Sequence, residues 1–252
     1  MNRPKSARII FITGTDTGVG KTVLTALLLC HLRRNGCRAL AMKPFCSGSR
    51  ADARLLHTLQ DRELTLEEVN PFYFPEPVAP LVSARKHRRH VPLKDVLKRI
   101  RSVASRLGDT ASRPAEGAVS APGVNPRASL LIEGSGGLLV PLGPNYSVLD
   151  LITSLGCEVV VVGRNRLGTL NHCLLTIRTL QAAGVQGLKL ALIACRRGDF
   201  SARSNPYVLA ELLAPIPVQL VPYLGADCRA AARLKAGAAR VPRTLAGLAP
   251  EC

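Results

Sequence analysis

The chain has 252 residues, of which 47% are hydrophobic and 20% charged, with 21 Gly and 18 Pro; this composition suits a globular α/β protein and argues against a disordered or collagen-like chain. Lys and Arg number 34 against 17 Asp and Glu, a formal net charge of +17, which raises a nucleic-acid reading. Aromatic residues make up only 4% and Trp is absent, so there is little material for stacking on bases.

At the N-terminus, basic residues precede an apolar run over 9–12, short of the ~7–15 residues of a signal-peptide core. Arg, Gly or Pro interrupts every apolar run before the ~20 residues of a membrane span, so a soluble, cytoplasmic protein is expected. Cys30, Cys37, Cys46, Cys157, Cys173, Cys195, Cys228 and Cys252 form no C-x-x-C. They read as reduced, buried small hydrophobes rather than a disulfide framework or a zinc site.

Residues 8–13 predict a buried strand, followed by a Gly-containing loop and a helix over 22–35 closed by Gly36. A strand over 38–42 completes a βαβ unit, and Lys43-Pro44 opens the next loop. Helices are expected over 55–60 and 91–107, separated by a loop containing Pro71, Pro75, Pro77 and Pro80. Within it, the basic run 85–90 lacks interleaved aromatics and reads as a solvated loop. Residues 108–128 are small, Pro/Gly-rich and aperiodic, the pattern of an exposed flexible loop. Strands follow at 129–132, 159–162, 188–194 and 218–221, with helices at 170–183 and 227–239. Apolar strands without alternation, each followed by an amphipathic helix, predict a mostly parallel β-sheet with helices on both faces. No repeat or linker divides it, so one domain spans 1–252, with 225–252 as its C-terminal helix and tail.

The loop after the first strand reads Gly14-Thr15-Asp16-Thr17-Gly18-Val19-Gly20-Lys21-Thr22. Placed between strand and helix, it meets the context expected of a P-loop. Backbone amides and the positive end of the following helix cradle phosphate oxygens. Lys21 would neutralise the β- and γ-phosphates, and the Thr22 hydroxyl would ligate Mg²⁺. The strict consensus puts Gly at position 15, where this chain has Thr15, so the loop is a variant. The fold class is therefore α/β, P-loop NTPase-like, single domain.

At the carboxyl ends of parallel strands, side chains face the same crevice as this loop. Lys43 should point there, although taken alone it reads as an exposed strand-end lysine and Asp52 as a helix cap. Glu133, in Leu130-Leu131-Ile132-Glu133-Gly134-Ser135-Gly136-Gly137, ends a buried strand. A carboxylate there suits the second metal position of a P-loop enzyme, and the glycines let a ligand approach the backbone.

Taken in order, G-T-D-T-x-V-G-K-T, K-P-x-x-S-G-S with Asp52 nearby, E-G-x-G-G, and V-G-x-x-L-G-x-x-N-H over Val162, Gly163, Leu167, Gly168, Asn171 and His172 resemble the dethiobiotin synthetase family of biotin biosynthesis. The likeness runs from about residue 9 to 183, with an echo at Pro222-Tyr223-Leu224. It implies an ATP- and Mg²⁺-dependent cyclo-ligase, a homodimer, that inserts CO2 between the amines of 7,8-diaminononanoate through a carbamate and a carbamic-phosphoric anhydride. It further implies that Lys21 and Lys43 are catalytic and that Thr22, Asp52 and Glu133 hold the metal. Gly18, Val19, Gly20, Lys21, Thr22 and Val23, with Glu133, Gly134, Ser135 and Gly136, would wrap the nucleotide phosphates, and Asp52, Pro222, Tyr223 and Leu224 belong to the same nucleotide site. Thr17 and Ser47 would meet the diamine, and Asn171 would complete the pocket of the neighbouring subunit.

Two positions depart from the family pattern. Gly18 stands where Glu is frequent, which removes a carboxylate beside the phosphates. After residue 194 the chain continues Cys195-Arg196-Arg197, where the family usually has Asn-Asp or a similar pair that reads adenine. A thiol and a guanidinium cannot supply an amide's paired donor and acceptor, which predicts a relaxed base preference. Two rivals compete with the ligase reading: a partitioning-type P-loop ATPase that binds DNA non-specifically, and a silent scaffold relative. The first would carry an early signature lysine where this chain has Thr15 or Asp16, and the second leaves Lys21, Lys43, Thr22, Asp52 and Glu133 unexplained. No membrane partner and no specific nucleic acid is expected.

Overall fold

The computed structural model describes residues 7–111, 128–225 and 230–249. It opens with β1 (Arg8–Gly14), α1 (Lys21–Arg34) and β2 (Ala39–Met42). Next come β3 (Phe45–Ser47), α2 (Ala51–Leu59), α3 (Leu66–Val69), β4 (Phe72–Phe74), α4 (Pro80–Lys86) and α5 (Leu93–Ala111). The middle of the chain supplies β5 (Ser129–Gly137), β6 (Pro141–Gly143), β7 (Tyr146–Ser147), α6 (Val148–Leu155), β8 (Glu158–Asn165) and α7 (Thr169–Ala182). It closes with β9 (Leu188–Ala194), α8 (Asn205–Leu213), β10 (Val218–Val221), α9 (Ala231–Arg240) and α10 (Pro242–Leu248).

Six strands form one sheet in the order β10-β9-β8-β1-β5-β2, with every pairing parallel. Consecutive residues of β1, Phe11 and Ile12, are both fully buried. Because side chains alternate across a strand, both faces of the sheet are covered. Crossovers run right-handed, so helices on connections that move in opposite directions from β1 lie on opposite faces. α1, with α9 and α10 packed on it, takes one face, and α5, α6, α7 and α8 take the other. The strand order reverses at β1, and the crevice at the carboxyl end of the sheet holds the phosphate loop.

Strand positions follow the sequence reading, but β5 runs on past residue 132 to Gly137 and β8 extends to Asn165. The Pro-rich loop is more ordered than composition suggests. Phe45 stacks on Phe72, with ring centroids 5.1 Å apart, where β3 pairs with β4, and Pro80 opens α4, where a missing N–H costs nothing. Four of the six residues in the basic run are engaged with folded structure: Arg85 and Lys86 end α4, Glu76 takes Lys86 and His87, and Arg89 lies over the Phe74 ring. Two helices with no counterpart in the sequence reading, α6 and α8, lie between the later strands; α6 starts with a capping box, Ser147 with Asp150. The terminal helix is in fact two, broken before Pro242. Most of the expected loop 108–128 lies outside the described residues, and its first residues belong to α5.

Cys30, Cys46, Cys157 and Cys173 are buried free thiols, and Cys195 is a half-buried one. Cys37 is disulfide-bonded, which corrects the expectation of reduced cysteines at that position. Cys228 and Cys252 lie outside the described residues. No helix among the described residues is long and apolar enough to cross a membrane.

Candidate active site

Strand register brings the candidate charges together. β1 pairs with β5 so that Ile12 faces Glu133, and β2 pairs with β5 so that Met42 faces Ile132. One residue beyond that last pair, Lys43 comes level with Glu133. The Lys43 ammonium donates to Glu133 Oε1 at 2.5 Å and to Asp52 Oδ2 at 2.9 Å. Asp52 does not cap α2, whose N-cap is Arg50, but sits in its first turn. The Thr22 hydroxyl, at the start of α1, donates to the same Glu133 oxygen at 2.6 Å.

Glu133 is 1% exposed, and its second oxygen, Oε2, is buried without a hydrogen-bond partner. A buried carboxylate oxygen left unsatisfied is costly. A hard divalent cation that prefers oxygen ligands would satisfy it, and Thr22, Asp52 and Glu133 supply a hydroxyl and two carboxylates of the right chemistry. No group of three or more His, Cys, Asp or Glu that could hold a metal occurs among the described residues, so any metal here would need that hydroxyl and ligands from outside the protein.

Gly18 and Gly20 take left-handed backbone, φ +75° and +109°, and Gly20 is the N-cap of α1. The consensus glycine missing at position 15 has its counterpart one residue earlier. A Cβ on Gly14 would lie 2.7 Å from Val19 Cγ2 and 3.1 Å from Lys21 Cδ, so glycine lets Lys21 fold back over the loop. The Lys21 ammonium donates to the carbonyls of Asp16 and Gly136 at 2.8 and 2.7 Å, which ties the phosphate loop to the end of β5. Thr15 N–H donates to Val162 O at 2.9 Å and anchors the loop on β8. Val19 and Thr22 are buried and Val23 is half-buried.

The two lysines differ electrostatically. Burial, opposed by Glu133 and reinforced by Lys43, lowers the pKa of Lys21 to about 8. Burial would lower that of Lys43 as well, but the charges of Glu133 and Asp52 outweigh it and hold the ammonium above the ordinary lysine range. Burial also pushes the neighbouring Cys46 thiol up to about 11, so Cys46 stays protonated and inert at neutral pH.

Around this cluster, Ser135 donates to Phe45 O at 2.8 Å, joining the ends of β5 and β3. Gly134 leaves no room for a side chain, because a Cβ would lie 2.9 Å from the Phe11 ring. Thr17 stands exposed beside Gly136, and the half-buried Ser47 keeps its hydroxyl oxygen buried without a partner.

The remaining candidates gather on the other side of β1. Ile193 of β9 packs on Gly20 and pairs with Val221 of β10. Cys195 and the trio Pro222, Tyr223 and Leu224 therefore leave neighbouring strands at the same end of the sheet. Leu224 packs toward Gly237 of α9, whereas Pro222 and Tyr223 are exposed. Asn171 is exposed on the first turn of α7 and does not join the charged cluster.

Two features of the site escaped sequence reasoning. The buried Asn70 donates its amide to the carbonyls of Lys43 and Pro44. A pair of buried asparagines, Asn165 and Asn205, joins β8 to α8, with Asn165 also donating to Ala202 O. In each case the hydrogen-bond partners lie far off in sequence.

Residues 8–221 match the family model described as an AAA domain. The ATP-dependent dethiobiotin synthetase BioD of Anaeromyxobacter sp. (strain Fw109-5) is 37% identical over 216 residues, covering 84% of this chain and 88% of that protein. The protein of the same name from Bacillus velezensis is 32% identical and covers 84% of both. Among solved structures, a ParA family ATPase from Chlorobium tepidum superposes with a TM-score of 0.53 at 12% identity, covering 96% of each chain. The MinC:MinD cell division complex of Aquifex aeolicus gives 0.53 at 12% identity, covering 93% of this chain and 96% of that one. At such identity these two share the fold alone.

Proposed function

The chain belongs to the family of ATP-dependent dethiobiotin synthetases, and from that membership we propose that it is a cyclo-ligase of biotin biosynthesis that closes the ureido ring of dethiobiotin from 7,8-diaminononanoate, CO2 and ATP. One observation carries the reading. Glu133 holds the Thr22 hydroxyl and the Lys43 ammonium on one oxygen and keeps the other, though buried, without a protein partner.

In this reaction one amine of the diamine attacks CO2 and loses a proton to become a carbamate. A carbamate oxygen takes the γ-phosphoryl group of ATP, giving ADP and a carbamic-phosphoric anhydride. The second amine then attacks the carbonyl carbon, and phosphate leaves as the ring closes. The protein's share in such a transfer is positioning and fixed charge.

Lys21 and Lys43 are the catalytic residues of this reading, their ammonium groups facing the phosphoryl and carbamate oxygens as charge moves between them. Backbone amides of residues 18–23, together with Glu133, Gly134, Ser135 and Gly136, surround the phosphates. Thr22, Asp52 and Glu133 would hold Mg²⁺, which would supply charge neutralisation at the phosphates. Thr17 and Ser47 receive the diamine, and the partnerless Ser47 hydroxyl is available to its amine. The base lies toward Cys195 and Pro222, Tyr223 and Leu224, without an amide pair to select adenine.

The working unit of this reading is a cytoplasmic homodimer of single-domain subunits, in which Asn171 completes the partner's substrate pocket. It is supported by the large apolar side chains exposed around it: Leu167, Leu175, Phe200 and Tyr207 are 81%, 60%, 93% and 78% exposed. The deciding experiment measures phosphate release from ATP with the diamine and bicarbonate added singly and together. Release that requires both is expected. ATP turnover that ignores the diamine and responds to DNA would overturn the ligase reading.

A further inference from the structure

We infer that Asn70 is a positioning residue for Lys43, locked in place by Arg50. The inference rests on the proposed role of Lys43. Lys43 and Pro44 form the turn that leaves β2, beyond its last pairing with β5, where Pro44 O takes Phe72 N–H of β4 and Lys43 O is left to a side chain. Asn70, 1% exposed, supplies it. Its Nδ2 donates to Lys43 O at 2.9 Å and to Pro44 O at 3.3 Å.

The amide can face only one way. Its Oδ1 accepts from Arg50 Nε at 3.0 Å, and the same guanidinium donates to Asn70 O at 3.2 Å. With the oxygen held by a cation, the NH2 is presented to the two carbonyls, an arrangement a carboxylate or an alkyl side chain cannot reproduce. The backbone adds two bonds: Lys43 N–H to Val69 O at 2.8 Å and Phe72 N–H to Pro44 O at 3.0 Å. Arg50 is also the N-cap residue of α2, two positions before Asp52. One bracket, Arg50 with Asn70, therefore sets both the backbone that carries Lys43 and the helix start that carries Asp52, the two groups that meet at 2.9 Å. The phosphate loop lies outside this bracket.

The test is a double-mutant cycle on diamine- and bicarbonate-dependent phosphate release, with ATP affinity measured separately by calorimetry. Asn70→Ala is expected to lower kcat about 10- to 100-fold, the scale of a small misplacement of a reacting group, while ATP affinity stays within about twofold. In a Lys43→Ala background the same change should have no further effect on kcat, because its action runs through Lys43. An equal loss in both backgrounds would make Asn70 a merely structural residue and overturn the inference. Wild-type turnover in Lys43→Ala alone would instead remove the role of Lys43, a separate failure. Should Asn70→Ala not fold, Arg50→Met decides the matter: a fall in kcat that disappears in the Lys43→Ala background sustains the bracket, and an unchanged or equally lowered kcat ends it.

Discussion

On one side of β1, along β5 and β2, the site closes on itself: Lys21, Thr22, Lys43 and Glu133 are all buried and bonded to one another or to neighbouring backbone. On the other side, along β8, β9 and β10, the matching strand ends carry residues that face outward, among them Asn171, Pro222 and Tyr223, within a surface bearing Phe200 and Tyr207. The difference separates two kinds of work. On the proposed reading, charge placement for phosphoryl transfer is complete within one chain, whereas recognition of the base and of the far end of the substrate is left to an open surface.

The contrast breaks most visibly if the closed side proves dispensable. Lys43→Ala or Glu133→Ala should lower diamine-dependent phosphate release by ~10²–10³, the loss typical of one transition-state charge contact. Near-wild-type rates for both would reject the assignment. Next in size is the packing beneath the charges. Gly134→Ala would set a Cβ 2.9 Å from Phe11 Cε1 and 3.3 Å from Ile12 O, and overpacking of this kind costs ~1–3 kcal/mol, to be read from denaturant unfolding; an unchanged midpoint would mean that β1 and β5 can yield.

The open side should respond more weakly. Calorimetric affinities for ATP, CTP and GTP are expected to fall within about tenfold of each other, ~1.4 kcal/mol, since Cys195 and Arg196 stand where the family usually has Asn-Asp or a similar pair. A much tighter ATP complex would show that other groups read adenine. Smallest of all, Phe200→Ser should change the unfolding free energy by no more than ~0.5 kcal/mol, yet reduce the mass in solution from two chains to one. A dimer that survives this change together with Leu175→Ser would place the interface elsewhere.

How much of this the sequence discloses follows the same division. The parallel sheet is legible because apolar runs such as 9–12 of β1 and the whole of β2 have no polar face to show, and the loop before α1 is legible from its glycines. Lys43 is legible as a strand-end residue and Glu133 as a carboxylate closing an apolar run, although β5 continues past it to Gly137, and their contact depends on register, which no local pattern states. α6 and α8 leave only short signals, a capping box at Ser147 and a proline in the first turn at Pro206, easily lost among later strands. Asn70 is hidden for a different reason: an asparagine after a short helix looks like any loop residue until its two carbonyl partners, 27 and 26 positions away, are known.

The alignment of Ile12, Glu133 and the end of β2 carries a consequence for folding fidelity. Side chains alternate across a strand, so a slip of β5 by one residue would turn Glu133 into a helix-covered face and bring Ile132 or Gly134 to the crevice. On the proposed reading such a slip would take their common partner from Lys43 and Thr22, and turnover would fall at least as far as in Glu133→Ala. A preparation's specific activity would then also report the share of chains with β5 in register.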